Sequence, residues 1–461
     1  MSRMPELPPP LPAATAEEPP LIVRGSRAGT VLASAAILLT VVLVLWFTPR
    51  WKKELRGAAA GPNVLLEMLG RYVAGCQVFF KSTGAWNAET EAQLLESCRE
   101  GVRTDADKLR LEMLRGWLDD RSPNPSETFP GLEPDVEILR RLAGQHEIAE
   151  DDWKPFEKKY GWFARAAKAL SHEKGHALRQ QVKLDAMRTM LVFGIGIMGG
   201  FAAFIAGVVI LILLLTRWRA SKRNGTAPPL RLTLEQEVPE VGGTLIEAFA
   251  IYMITLVILP TLIHLAFPAL NSYLTYALIA PIVLFAVWWP RLRGVPAQRW
   301  KQVMGLHTGV GLWREIGAGL LAWIACLPIV ALGLWLTTLL IRLSGAEMPV
   351  HPIVNEFAAG GASRYLPLLL AVLWAPVTEE LAFRSMLFPG LSARLRWIPG
   401  VVLSSFIFAV IHPQGWFGVP MLMIIAGMLA FVRQWRGSVL GGMAAHALNN
   451  GLVTLFVLLA F

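Results

Sequence analysis

Glu379 and Glu380 lie side by side in a stretch otherwise fit for lipid, with Arg384 one helical turn further on. Apolar residues run from Leu366 to Pro376 before them and out to Leu391 after them. An ionised side chain at bilayer depth costs roughly 2.5–3.5 kcal/mol on insertion scales. Such groups are kept where they pair, line a wet cavity or do chemistry. Glu380 and Arg384 are four residues apart, so they share a helix face and can form an ion pair. Glu379 is turned about 100° away, which leaves its carboxylate free to act as an acid–base group. A buried pair that only fixes helix register needs one glutamate, and the chain supplies two.

Two later stretches offer partners. Phe408 to His412 puts an imidazole at the end of an apolar helix, with an aromatic ring one turn below it. His446 and Asn450 share one face of the last apolar segment. A lone histidine or asparagine at membrane depth is often interhelical glue. Placed on three successive spans, Glu379, His412, His446 and Asn450 together offer a base, a second proton carrier and two neutral donors.

The motifs Glu379-Glu380-x-x-x-Arg384, Phe408-x-x-x-His412 and His446-x-x-x-Asn450 occur in that order. They resemble the signatures of the CAAX protease and bacteriocin-processing family of intramembrane endopeptidases, which includes the type 2 CAAX prenyl proteases. The likeness covers roughly residues 315–461. It implies hydrolysis of a peptide bond in a membrane-anchored protein or peptide. By this resemblance Glu379 and His412 hold and deprotonate a water, and His446 and Asn450 donate to the developing oxyanion. Glu380 and Arg384 hold the first helix in register. Family members have been described both as metalloproteases and as metal-free glutamate enzymes. No cofactor is the favoured expectation, while Glu379, His412 and His446 could ligate a divalent metal such as zinc. The likeness does not make the substrate prenylated, since many relatives are bacterial and some act in bacteriocin maturation or self-immunity. A non-catalytic immunity scaffold and a transporter are the alternatives. Nothing resembles a nucleotide-binding loop or an ion-coupled inverted repeat, which weakens the transporter.

The elements that position these residues are membrane helices. Mean hydropathy is +0.47, 54% of residues are hydrophobic and 17 are Trp. With repeated apolar runs of about 20 residues, this is the composition of an all-α, polytopic membrane helical bundle. The formal charge of +9 does not signal nucleic acid. Residues 50–188 hold 23 bases against 22 acids, and the remaining bases fall mostly at span ends and in short loops.

Residues 1–27, rich in proline, read as a disordered tail, and 28–48 as a retained anchor helix without a clear cleavage site. Residues 49–188 break the apolar pattern and read as an inserted soluble helical domain. Within it Thr104-Asp105-Ala106-Asp107 looks like a helix start, after which Leu111, Leu114, Trp117 and Leu118 share a face. Further amphipathic segments are expected around 136–142 and 153–170. Cys76 and Cys98 could bridge two helices or remain buried free thiols. Residues 189–314 supply membrane helices and an interfacial loop, and 315–461 the protease-like core. Counting the anchor, about nine spans are expected. Basic clusters at 217–223, 291–301, 394–396 and 433–436 place the N-terminus in the cytoplasm and residues 49–188 outside, in a multi-pass protein of a bacterial inner (plasma) membrane. The bases at 50–56 run against that assignment. The chain stops soon after the His446 span, so any further helix of the family is expected to be missing.

One motif competes. His172-Glu173-Lys174-Gly175-His176 has the spacing of a zincin, two imidazoles one turn apart with a glutamate to activate metal-bound water. The internal Lys and Gly argue against such a helix, and no third ligand follows it. An exposed helix face is the alternative.

Overall fold

The computed structural model describes residues 27–58, 63–125, 129–227, 230, 239–268, 270, 272–344, 365–412 and 414–460. The proline-rich tail lies outside them. The described residues are helical, without strands. Among them seven helices are long and apolar enough to cross a membrane, and Ile279–Leu292 and Trp397–Val410 are shorter apolar helices. The all-α polytopic bundle expected from composition is what forms.

Two compact units divide the chain. One consists of residues 52–201, 352–367 and 452–461. Its polar helices are Val64–Thr83, Ala88–Arg99, Asp105–Leu118, Glu133–Ala143, Glu150–Tyr160 and Trp162–Leu170. Thr104 caps the third, and its hydroxyl and the Asp107 carboxylate satisfy each other's backbone N–H groups. Leu111, Leu114, Trp117 and Leu118 are all buried, in a core with Leu109, Met113, Phe156, Tyr160, Trp162 and Phe163. The amphipathic run at 153–170 is two helices broken at Gly161. That glycine has φ +59°, and a Cβ there would lie 2.4 Å from Glu67 Oε2. Glu67 is buried, paired with Arg71, and accepts the Trp162 N–H at 3.2 Å. Cys76 and Cys98 are buried and free. Burial pushes the Cys98 thiol up to about 12, which leaves it an inert hydrophobe.

The other unit consists of residues 1–51, 202–351 and 368–451. Its largest core packs Val241, Leu245, Phe249 and Met253 against Ala382, Phe383, Met386 and Leu387, with Phe408 and Ala426 behind them. A second cluster joins Cys326, Leu429, Val432 and Ala445. Helices Leu312–Ser344 and Leu440–Ala460 cross so closely that a Cβ on Gly319 would fall 2.0 Å from the Gly441 carbonyl oxygen. Small residues at such a crossing are the membrane substitute for a hydrophobic drive.

Among the described residues three widened turns interrupt the apolar helices. Residues Ile254–Ile258, Leu370–Trp374 and Leu381–Leu387 are π-helical. Each ends two residues before a proline, namely Pro260, Pro376 and Pro389. Proline has no N–H, and its ring crowds the carbonyl four residues back. An i→i+5 turn just ahead of it relieves that crowding. The bonds follow that pattern: Leu259 donates to Ile254, Ala375 to Leu370 and Phe388 to Phe383. Two of the three turns bracket Glu379 and Glu380.

Replacing Gly161 by alanine forces a side chain into the left-handed region and against a buried carboxylate. Gly161→Ala is expected to destabilise the polar unit by about 2 kcal/mol or more, read as a lower denaturation midpoint of the full-length protein.

Candidate active site

The helical segment Ala375–Glu380 ends on the two carboxylates. Glu380 is fully buried, and its Oε1 lies 3.1 Å from Arg384 Nη1 and 3.0 Å from His446 Nδ1. The i,i+4 pair expected from spacing is present, and Glu380 has a second partner 66 residues away. Arg384 also donates from Nη2 to the Ala426 carbonyl at 3.1 Å and lies over the Phe408 ring at 4.8 Å. The Phe408 ring in turn sits 4.2 Å from the His412 ring and 6.2 Å from that of His446.

Glu379 points to the other side. Its Oε2 is 3.8 Å from His412 Nε2 and 3.8 Å from His446 Nε2. That oxygen is buried and has no hydrogen-bond partner on the protein. The structure thus brings Glu379, His412 and His446 around one small space, with Glu380 and Arg384 directly behind.

Hydrogen bonding assigns the imidazole tautomers. His412 Nδ1 is 2.5 Å from the Phe408 carbonyl oxygen, which can only accept, so this nitrogen carries the proton. His446 Nδ1 faces the arginine-paired Glu380 carboxylate and donates to it. In both neutral rings Nε2 therefore presents a lone pair toward Glu379. His446 offers a donor from Nε2 only as the imidazolium. Asn450 donates from Nδ2 to the Ala371 carbonyl at 3.1 Å. This carbonyl belongs to the turn before Pro376: the Ala375 N–H goes to Leu370, and the next residue has no N–H.

Two contributors were not legible in sequence. Gly442 lies where a Cβ would come within 2.6 Å of Glu380 Oε2, so the absence of a side chain makes room for the carboxylate. Tyr252, 1% exposed, hydrogen-bonds to Thr378 and faces the Glu379 charge. It comes from the Pro239–Met253 helix, outside every motif, and only its position two residues before the π turn at Ile254 distinguishes it.

Three acceptors converging on one space are also the donor set for a divalent ion. In this arrangement they are too far apart: ligands of tetrahedral zinc stand about 3.3 Å from one another, and no group of three or more His, Cys, Asp or Glu among the described residues could hold a metal ion. The zincin spacing at 172–176 does not form a helical ligand pair either. It lies in a turn between helices, where the two rings stack at 4.0 Å. His176 Nδ1 accepts the Leu178 N–H at 3.2 Å, and Lys174 pairs with Asp120 at 3.0 Å.

Residues 361–452 match the family model described as type II CAAX prenyl endopeptidase Rce1-like. The match contains Glu379, Glu380, Arg384, His412, His446 and Asn450, and agrees with the family that the three motifs resemble. An all-helical, multi-pass membrane protein with a segment similar to a protease-family model is thus the class that fold and comparison define. No curated protein and no solved structure matches the chain.

Gly442→Ala is expected to displace the Glu380 carboxylate from His446 and Arg384 while leaving the protein folded. A structure of the variant should show the Glu380–His446 contact lengthened beyond hydrogen-bonding distance, with a loss of about 1–3 kcal/mol in thermal unfolding.

Proposed function

We propose that the protein is an intramembrane endopeptidase that hydrolyses a membrane-anchored protein or peptide with a glutamate-activated water. The observation that carries this reading is the buried, unpartnered Glu379 Oε2 set between two imidazole nitrogens. A water there donates one hydrogen bond to Glu379 and another to His412 Nε2, which aims an oxygen lone pair outward. As that oxygen adds to the scissile carbonyl carbon, Glu379 takes the proton. The carbonyl π electrons move to oxygen, giving a tetrahedral oxyanion. The second amide hydrogen of Asn450 stabilises that charge, joined by His446 when its Nε2 carries a proton. The C–N bond then breaks, and Glu379 returns the proton to the leaving nitrogen. No metal is needed for this sequence.

In the same reading the N-terminus is cytoplasmic in a bacterial plasma membrane and residues 49–188 lie outside. The charges at 217–223 and 394–396 support this orientation. Those at 433–436 carry less weight, because Arg433 is buried and Arg436 is paired with Glu315 at 2.9 Å.

Quantitative proteomics of membrane-anchored peptides, comparing wild type with Glu379→Gln and His412→Ala, tests the reaction. Cleavage products should fall by about 10²–10⁴-fold in either variant at unchanged protein level. A phenotype that persists in both would instead indicate a non-catalytic scaffold or transporter. Chelation of the purified protein is expected to leave cleavage intact. Loss on chelation that zinc reverses would overturn the metal-free route.

A further inference from the structure

Arg433 belongs to none of the three motifs, yet it is one of the largest fully buried side chains in the protein. Its partners are three backbone carbonyls. Nε donates to Arg384 at 3.2 Å, Nη2 to Val303 at 2.7 Å and Nη1 to Gly437. The guanidinium lies flat on Gly305, where a Cβ would fall 2.8 Å from its central carbon.

The Arg384 carbonyl is an acceptor that its own helix has abandoned. In the π turn Leu381–Leu387 the Phe388 N–H goes to Phe383, so the four-residue partner is taken. The five-residue partner is Pro389, which has no N–H. An unpaired buried carbonyl costs about as much as a lost hydrogen bond, so the wide turn needs an outside donor. The Pro376 turn shows the same device independently: there the orphaned carbonyl is Ala371, and the donor is Asn450. The two widened turns that bracket Glu379 and Glu380 are thus each closed by a side chain from one of the last two helices.

We propose that Arg433 is a positioning residue of the active site, its guanidinium standing in for the N–H that Pro389 lacks and so holding the Glu380–Arg384 turn in the form that presents Glu380 to His446. The functional consequence rests on the protease reading above, but the structural role does not.

The test is a double-mutant cycle on the full-length protein in lipid nanodiscs, with wild type, Arg433→Met, Pro389→Ala and the double variant. Amide hydrogen exchange over residues 381–395 is the readout. Arg433→Met should speed exchange there about tenfold. Adding Pro389→Ala should return most of that protection, because an alanine restores the missing donor within the helix. Additive effects, with the double variant as labile as Arg433→Met or more so, overturn the proposal. If Arg433→Met cannot be recovered folded, recovery of the double variant supports the role, and failure to recover it overturns it. Where wild type cleaves a peptide that Glu379→Gln does not, Arg433→Met should lower kcat with KM unchanged, and the double variant should regain it. If wild type and Glu379→Gln do not differ in cleavage, the protease reading fails, while the exchange cycle still decides the role of Arg433.

Discussion

An ionised carboxylate with no exposure to water has to be matched inside the bundle, and Glu380 is the point at which this protein meets that demand. Arg384 neutralises it from one turn below, and His446 Nδ1 approaches it from another helix. Removing one member of such a buried set leaves an uncompensated charge at a cost of about 3–5 kcal/mol. The arrangement therefore fixes three things together: the register of the Glu379 helix, the rotamer of Arg384 and the tautomer of His446. With Nδ1 committed to Glu380, His446 can only aim Nε2 at Glu379. The same constraint reaches Gly442, whose missing side chain is the space that Glu380 fills.

The second organising feature is the set of widened turns. Each π segment among the described residues ends two residues before a proline, so a fault in the hydrogen-bond ladder recurs at one offset. Such faults leave carbonyls needing donors from elsewhere, which converts a local defect into a tertiary contact. Asn450 meets this need above the carboxylate pair and Arg433 below it. The helix that carries Glu379 and Glu380 is thus gripped at both ends by the helices that follow it, and an error in their docking would be felt at the carboxylates.

The polar unit follows different rules. There water is available, and stability comes from capped helices around an aromatic core with buried pairs such as Arg110–Asp107 at 2.6 Å. The helix start at Thr104 and the buried face of Leu111, Leu114, Trp117 and Leu118 were legible, because capping and 3.6-residue periodicity are local. The break at Gly161 was not, since it depends on a φ of +59° held by Glu67 from a distant helix. The turn at 172–176 shows the limit of spacing. His172 and His176 have the separation of a helical ligand pair, but the backbone between them is not helical.

By itself the sequence determined that this is an all-helical membrane protein, that Glu380 pairs with Arg384, and that the three motifs lie in order on separate apolar segments. These follow from composition and from i,i+4 geometry, which need no knowledge of the rest of the chain. Only the tertiary structure decided that Glu379 faces both His412 and His446, that Glu380 rather than solvent sets the His446 tautomer, and that Arg433 and Asn450 supply what Pro389 and Pro376 remove. Those contacts join residues dozens of positions apart in the sequence, and no local propensity encodes which helix turns which face to which neighbour. Packing of small residues such as Gly319 against Gly441 sets the crossings, and the crossings set the distances on which the chemistry depends.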